Sequence, residues 1–156
     1  MKGNAARGAT GEGAGRTLAL DFGDRRIGIA LSDPLGIAAR PLLTLVRTSR
    51  DRDLERIRRI VQEHEIRRIV VGLPLDMDGR EGARVKITEA FMDRIRGAIG
   101  IPVIPWDERL TTVQAERTLL EADLSRARRR EVIDQVAAVI LLQSFLDARR
   151  AGQEPG

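Results

Sequence analysis

Three acidic positions stand where acids are costly. Asp21 lies inside the run "LALDFGDRRIGIALSD" (residues 18–33), near the carboxyl end of a strand-like segment. Asp107 and Glu108 leave the apolar "IPVIPW" in "WDERLTT", and Asp134 lies in "EVIDQVAAVILLQSFL", where helical spacing puts Ala137, Ala138, Leu141 and Phe145 on its stripe. A carboxylate on an apolar face loses hydration unless something compensates it. Each has an ordinary structural reading. Asp21 can answer a turn or pair with Arg25 or Arg26, the acids after Trp106 can complement a helix dipole, and Asp134 can pair with an arginine of the preceding run. Taken together, two strand ends and one helix can bring three carboxylates to one point. Clustered carboxylates repel, and a hard divalent cation relieves them. Mg²⁺ and Mn²⁺ accept oxygen ligands alone. Two such ions about 3.5–4 Å apart activate water and stabilise the leaving oxygen of a phosphodiester. Metal-assisted phosphodiester hydrolysis is the chemistry expected of these acids.

The composition narrows the alternatives. The chain has 156 residues and no Cys, which removes thiolate nucleophiles, disulfides and cysteine zinc sites. His64 is the only histidine and falls among Leu54, Ile57, Ile60 and Val61 at helical spacing, so it reads as a surface helix residue. With three Phe, one Trp and no Tyr, aromatic platforms for stacking single-stranded bases are scarce. The net charge is +4, and Lys2 and Lys86 are the only lysines. The remaining cations are arginines, the better fork for phosphate. The longest apolar run, Val136–Leu142, falls far short of the about 20 residues that cross a bilayer, and no secretory segment opens the chain, so a cytoplasmic protein without a membrane partner is expected.

The elements that must position the acids follow from periodicity. Residues 1–15 are Gly/Ala-rich and residues 151–156 are similar; both are expected to be disordered tails around a folded domain at 16–150. Thr17–Phe22 and Ile27–Leu31 are strand-like and joined by "GDRR", which implies an antiparallel hairpin; Ile37–Val46 extends the meander, with Pro41 at an edge. Arg52–Glu65 reads as a helix of interleaved charges with Glu55 and Arg59 at i,i+4, "RRIVVGL" as a strand, Gly82–Arg96 as a helix and "IPVIPW" as a fifth strand. "TTVQ" fits a capping box opening a helix to about Ala122, and a final helix spans Ser125–Arg149. The fold class expected is α/β: a five-stranded mixed sheet, an antiparallel meander followed by strand–helix alternation, with helices on both faces. Ligands in such sheets gather at the carboxyl ends of parallel strands. Gly23 and Gly28 leave the surroundings of Asp21 open to close approach.

In this order the motifs resemble the bacterial YqgF (RuvX) family, described as pre-16S rRNA nucleases and as Holliday-junction-resolvase-like. The resemblance covers about residues 16–148, through "LALDFGDRRIGIALSD", "VVGLPLDMDGREG", "WDERLTTVQAE" and "VIDQVAAVILLQSFLD". It implies a ribonuclease H-like fold and a Mg²⁺- or Mn²⁺-dependent nuclease that trims the 5′ end of the 16S rRNA precursor. It carries the acidic site onto Asp21, Glu108 and Asp134, as metal ligands and catalytic residues. Asp76 in "GLPLD" corresponds to a carboxylate position of the wider fold and is a further candidate. Arg26, Arg109 and the run Arg126, Arg128, Arg129 and Arg130 would hold the RNA backbone.

Two other functions fit the same residues. The acids could cut four-way DNA, which calls for a homodimer where a ribonuclease can be a monomer. A non-catalytic RNA-binding factor in transcription or ribosome assembly is the third reading, against which negative charge facing phosphate argues. With few aromatics, substrate choice is expected to rest on RNA shape and on an assembled ribosomal particle.

Overall fold

The computed structural model describes residues 15–75, 82–111 and 126–152. Of the tails expected at residues 1–15 and 151–156, residues 1–14 and 153–156 lie outside the described residues, as do the "TTVQ" helix beyond Thr111 and Asp76.

Five strands form one sheet: β1 (Arg16–Phe22), β2 (Arg26–Ser32), β3 (Ala39–Val46), β4 (Ile66–Leu73) and β5 (Val103–Asp107), in spatial order β3-β2-β1-β4-β5. β1, β2 and β3 pair antiparallel, whereas β4 runs parallel to β1 and to β5. The expected hairpin is closed by the Gly23 N–H donating to the Arg26 carbonyl at 2.9 Å. β3 is an edge strand, as Pro41 requires. Ile29 pairs with Leu43 and Ala30 with Pro41, so Leu42 is the extra residue of a bulge next to the proline. The apolar run entering β3 forms strand only from Ala39, because Asp33 Oδ1 accepts the N–H groups of Ile37 at 2.7 Å and Ala38 at 3.2 Å and holds them in a loop.

Helix α1 (Arg50–Glu63) starts two residues earlier than its apolar periodicity suggests. Ser49 Oγ accepts the Arg52 N–H, and the buried Asp53 carboxylate takes the N–H of Thr48 at 3.1 Å, a reciprocal cap. His64 ends this helix rather than lying in it. On the exposed face Glu55 pairs with Arg58 at 2.6 Å and, at the expected i,i+4 spacing, with Arg59 at 3.8 Å. Helix α2 (Ala83–Ile99) runs three residues past its expected end, and α3 spans Arg126–Arg150. Among the described residues no helix is long and apolar enough to cross a membrane.

Strand alternation divides the core in two. Leu18, Leu20, Phe22, Ile27, Ile29, Leu31, Ile69 and Val71 pack against Ile57 and Ile60 of α1 and Phe91, Met92 and Ile95 of α2. On the opposite face Ala19, Ala30, Val70 and Trp106 pack against Ala138, Leu141, Leu142 and Phe145 of α3. The small residues of this second face let α3 lie close to the sheet.

Candidate active site

Asp21 sits on the α3 face of β1, two residues beyond the fully buried Ala19, and is itself 8% exposed. Its neighbours across the sheet are glycines. Gly28 of β2 is its register partner; on the other side β1 and β4 pair up to Leu20 with Val71, so Asp21 and Gly72 are the next residues of their strands. Each glycine carries an acid. A Cβ on Gly28 would stand 2.0 Å from the Asp134 carbonyl and 3.1 Å from the Asp134 Cβ. A Cβ on Gly72 would stand 2.8 Å from Glu108 Oε2. The row Gly28, Asp21, Gly72 therefore has one carboxylate residue in it and one lying over each end. It crosses the carboxyl ends of β1 and β4, where a mixed sheet of this order presents its ligand site.

The local structure explains how each acid arrives. α3 carries Asp134 one turn before Ala137 and Ala138, which are 2% and 0% exposed, and their small side chains bring the helix backbone onto Gly28. Trp106 fixes the end of β5: its Nε1–H donates to Ser144 Oγ at 3.1 Å, and its ring meets Phe145 edge-on at 5.5 Å. One turn of 3₁₀ helix, Glu108–Leu110, follows at once. Asp107 caps that turn, accepting the Arg109 N–H at 2.9 Å, and is gripped by the Arg109 guanidinium down to 2.6 Å. That side-chain pairing holds the Asp107 carboxyl below the usual carboxylate range. Asp107 is thus committed to capping, and Glu108 is the acid of this pair that reaches the glycine row.

Asp134 is held in an ion pair, with a partner other than the one its sequence neighbourhood suggests. Arg26 Nε donates to Asp134 Oδ2 at 3.0 Å across 108 positions of sequence. Of the arginines expected to face RNA, Arg26 is therefore engaged by Asp134 and Arg109 by Asp107. The backbone of Arg126, Arg128, Arg129 and Arg130 opens α3, and their side chains lie outside the described part.

The donor set here is carboxylate oxygen throughout, the chemistry of a hard divalent ion. The two glycine approaches give the acids room to meet. As they stand, no three acidic groups among the described residues converge on one point, with Asp134 drawn to Arg26. The carboxylate donors on either side of the glycine row are of the chemistry that a hard divalent ion takes.

Sequence reasoning reached Gly28 but not Gly72, although a glycine inside "RRIVVGL" carries the same signal of close approach. It also passed over Arg47. That guanidinium lies 4.3 Å over the Phe22 ring and donates to the carbonyls of Gly23 at 2.9 Å and Asp24 at 3.0 Å. Phe22 in turn stacks on Phe91 at 4.3 Å. The residue after Asp21 is thereby clamped between an arginine and a phenylalanine, which fixes the hairpin that carries Asp21 and Arg26.

The RuvX family model, described as Holliday junction resolvase, matches residues 15–148. A Myxococcus xanthus protein provisionally named a pre-16S rRNA nuclease is 53% identical over 135 residues, 86% of this chain and 89% of that one. A Symbiobacterium thermophilum protein of the same name is 52% identical over 132 residues, 85% of this chain and 92% of its own. Among solved structures, Thermus thermophilus RuvC bound to a Holliday junction aligns with a TM-score of 0.61 at 14% identity, covering 88% of this chain and 97% of that chain. The yeast mitochondrial Holliday junction resolvase Ydc2 aligns with a TM-score of 0.53 at 7% identity, over 85% and 78% of the two chains. These structural likenesses establish the fold, the ribonuclease H-like architecture of the resolvases. By its motifs and by the span of the family match, the chain belongs to the RuvX family.

Proposed function

We propose that this chain is a divalent-metal-dependent nuclease that hydrolyses a phosphodiester bond in the 16S rRNA precursor, in the cytoplasm. The observation that carries the reading is the glycine-flanked row at the sheet edge, with Asp21 in it and Glu108 and Asp134 over its two ends. The RNA substrate rests on the names of the relatives.

Asp21, Glu108 and Asp134 are the residues that would hold Mg²⁺ or Mn²⁺. When bound, such an ion supplies Lewis-acid polarisation and a nucleophile at neutral pH. The chain's own contribution is rigidity. Asp21 is fixed by two flanking strands, Asp134 by a helix docked through backbone contact, and Glu108 by a 3₁₀ turn anchored at Trp106. Sites on such elements hold catalytic geometry better than sites on loops. Arg26 and Arg109 stand beside the acids as the cations that would meet the RNA backbone, with the arginines opening α3 as the outer contact.

Cleavage of an RNA bearing the 16S 5′ leader, beside a four-way DNA junction, tests the reading in Mg²⁺ and in Mn²⁺. Wild type is expected to cut the RNA, chelation to abolish cutting, and Asp21→Asn or Asp134→Asn to abolish it with an unchanged circular dichroism spectrum. Junction cutting alone would move the substrate to branched DNA, the description the family model carries. RNA binding without cleavage would leave a non-catalytic factor. Binding should weaken with salt with a slope of about −0.7 per neutralised phosphate for single strands.

A further inference from the structure

The acid site already contains a cation. Arg26 touches Asp134 end-on, through Nε to Oδ2 at 3.0 Å, with side chains 28% and 18% exposed. Among the described residues neither partner is saturated: the two terminal nitrogens of Arg26 and the second oxygen of Asp134 make no other hydrogen bond or ion pair. The pair is half-buried and not sealed from solvent. Nor does it dock α3, because the helix backbone is already seated on Gly28 at that residue. The backbone of Arg26 is fixed by the Gly23 N–H at 2.9 Å, so a change of partner needs only the side chain to turn.

These features give the pair a different use. A guanidinium on Asp134 has the same sign of charge as a divalent ion and occupies an oxygen that such an ion would take. Freed from it, a planar fork at the edge of the site matches two oxygens of a phosphodiester. We propose that Arg26 is the resident counter-charge of Asp134 in the ion-free protein and transfers to a substrate phosphate when an ion takes the carboxylate. Ion and nucleic acid then bind cooperatively through one side chain. The proposal rests on the metal-nuclease reading and adds to it the order in which the site assembles.

Coupling between two ligands is reciprocal, so one variant reports on both. In the absence of RNA, Arg26→Gln is expected to bind Mn²⁺ more tightly than wild type, on the order of tenfold, read by titration calorimetry or by the electron spin resonance of free Mn²⁺. The gain in affinity for a fluorescein-labelled 20-nucleotide single-stranded RNA on adding Mn²⁺, read by stopped-flow anisotropy before turnover, should shrink by a similar factor. Arg26→Lys keeps the charge without the fork. It should stay near wild type in Mn²⁺ affinity and lose RNA affinity in Mn²⁺. Equal Mn²⁺ affinity in wild type and Arg26→Gln, with an equal Mn²⁺ effect on RNA, would overturn the exchange while leaving the metal site standing. Weaker Mn²⁺ binding in Arg26→Gln would overturn it too, by making Arg26 a support for Asp134 as a ligand. A wild type that takes no Mn²⁺, or whose Mn²⁺ binding survives Asp134→Asn, would overturn the metal reading and the exchange together.

Discussion

The two faces of the sheet are built from the same strands and obey opposite rules. On the face toward α1 and α2, alternate residues are large and aliphatic: Leu18, Leu20, Ile27, Ile29, Ile69 and Val71, all 0% exposed. On the face toward α3 the intervening residues of β1 and β2 are Thr17, Ala19, Asp21, Gly28, Ala30 and Ser32. The first face fills volume and derives stability from apolar burial. The second gives up volume, so that a helix backbone and two acids can approach the strands. With the proposed site on the α3 face, stability and chemistry are separated by side-chain parity. Substitutions one residue apart on β1 or β2 should therefore fail in different ways.

The sharpest contrast is between neighbours. Leu20→Ala empties a site in the aliphatic core and is expected to cost about 2–5 kcal/mol in urea unfolding, the range for large-to-small core changes. The fraction that remains folded should keep its Mn²⁺ affinity, because Leu20 points away from the acids. A variant that kept its stability and lost Mn²⁺ binding would break the division of labour between the faces.

Gly28→Ala attacks the other face. Its Cβ would fall 2.0 Å from a backbone carbonyl of α3, which no rotamer change relieves. Helix or strand must shift, at an expected cost of about 1–3 kcal/mol. The shift carries Asp134 with it, so cleavage should be lost even where the protein is fully folded. Gly72→Ala is the milder version. The added methyl would meet Glu108 Oε2 at 2.8 Å and its Cγ at 3.1 Å, so the whole flexible side chain must swing aside rather than a backbone. Stability is expected to fall by about 1 kcal/mol, the low end of the cost of overpacking, because the contact can relax. Cleavage should fall through displacement of Glu108, and a Gly72→Ala variant with full activity would remove Glu108 from the acid set.

This division decides how much the sequence discloses. Parity along "LALDFGDRRIGIALSD" places Asp21 on the α3 face, and the stripe of Ala137, Ala138 and Leu141 turns Asp134 inward; both follow from local periodicity. Local chemistry also carries the hairpin and the edge position of β3. The partner of Asp134 is 108 residues away, and no local pattern ties Arg26 of β2 to a helix at the far end of the chain. The same holds for Gly72, whose need for a bare Cα is set by Glu108 on another strand end. Periodicity misses the start of α1 because a cap is made by single polar side chains, Ser49 and Asp53, and carries no apolar period.

The polar face also has an end away from the acids, and there its polar groups answer one another. Ser32 Oγ accepts the Thr17 N–H at 2.8 Å, and Arg68 donates to Thr17 Oγ1 at 2.9 Å. The next residue, Asp33, sets up the smallest of these effects. Burial works to raise its carboxyl pKa, but the N–H groups of Ile37, Ala38 and Gly36 outweigh it and hold the group below its ordinary 3.8. A folded-state pKa below the unfolded one stabilises the protein above the unfolded value, and that contribution disappears as pH falls through the lowered folded value. In Asp33→Asn the stability difference from wild type should be constant from neutral pH to about pH 5, then shrink below it as the unfolded carboxyl, with its pKa of about 3.9, protonates. Urea midpoints across pH 3 to 7 measure it. Cleavage at neutral pH should be untouched, because the loop lies at the opposite end of β2 from Gly28 and the acids; a loss of activity in Asp33→Asn would show that the two ends of the polar face work as one unit.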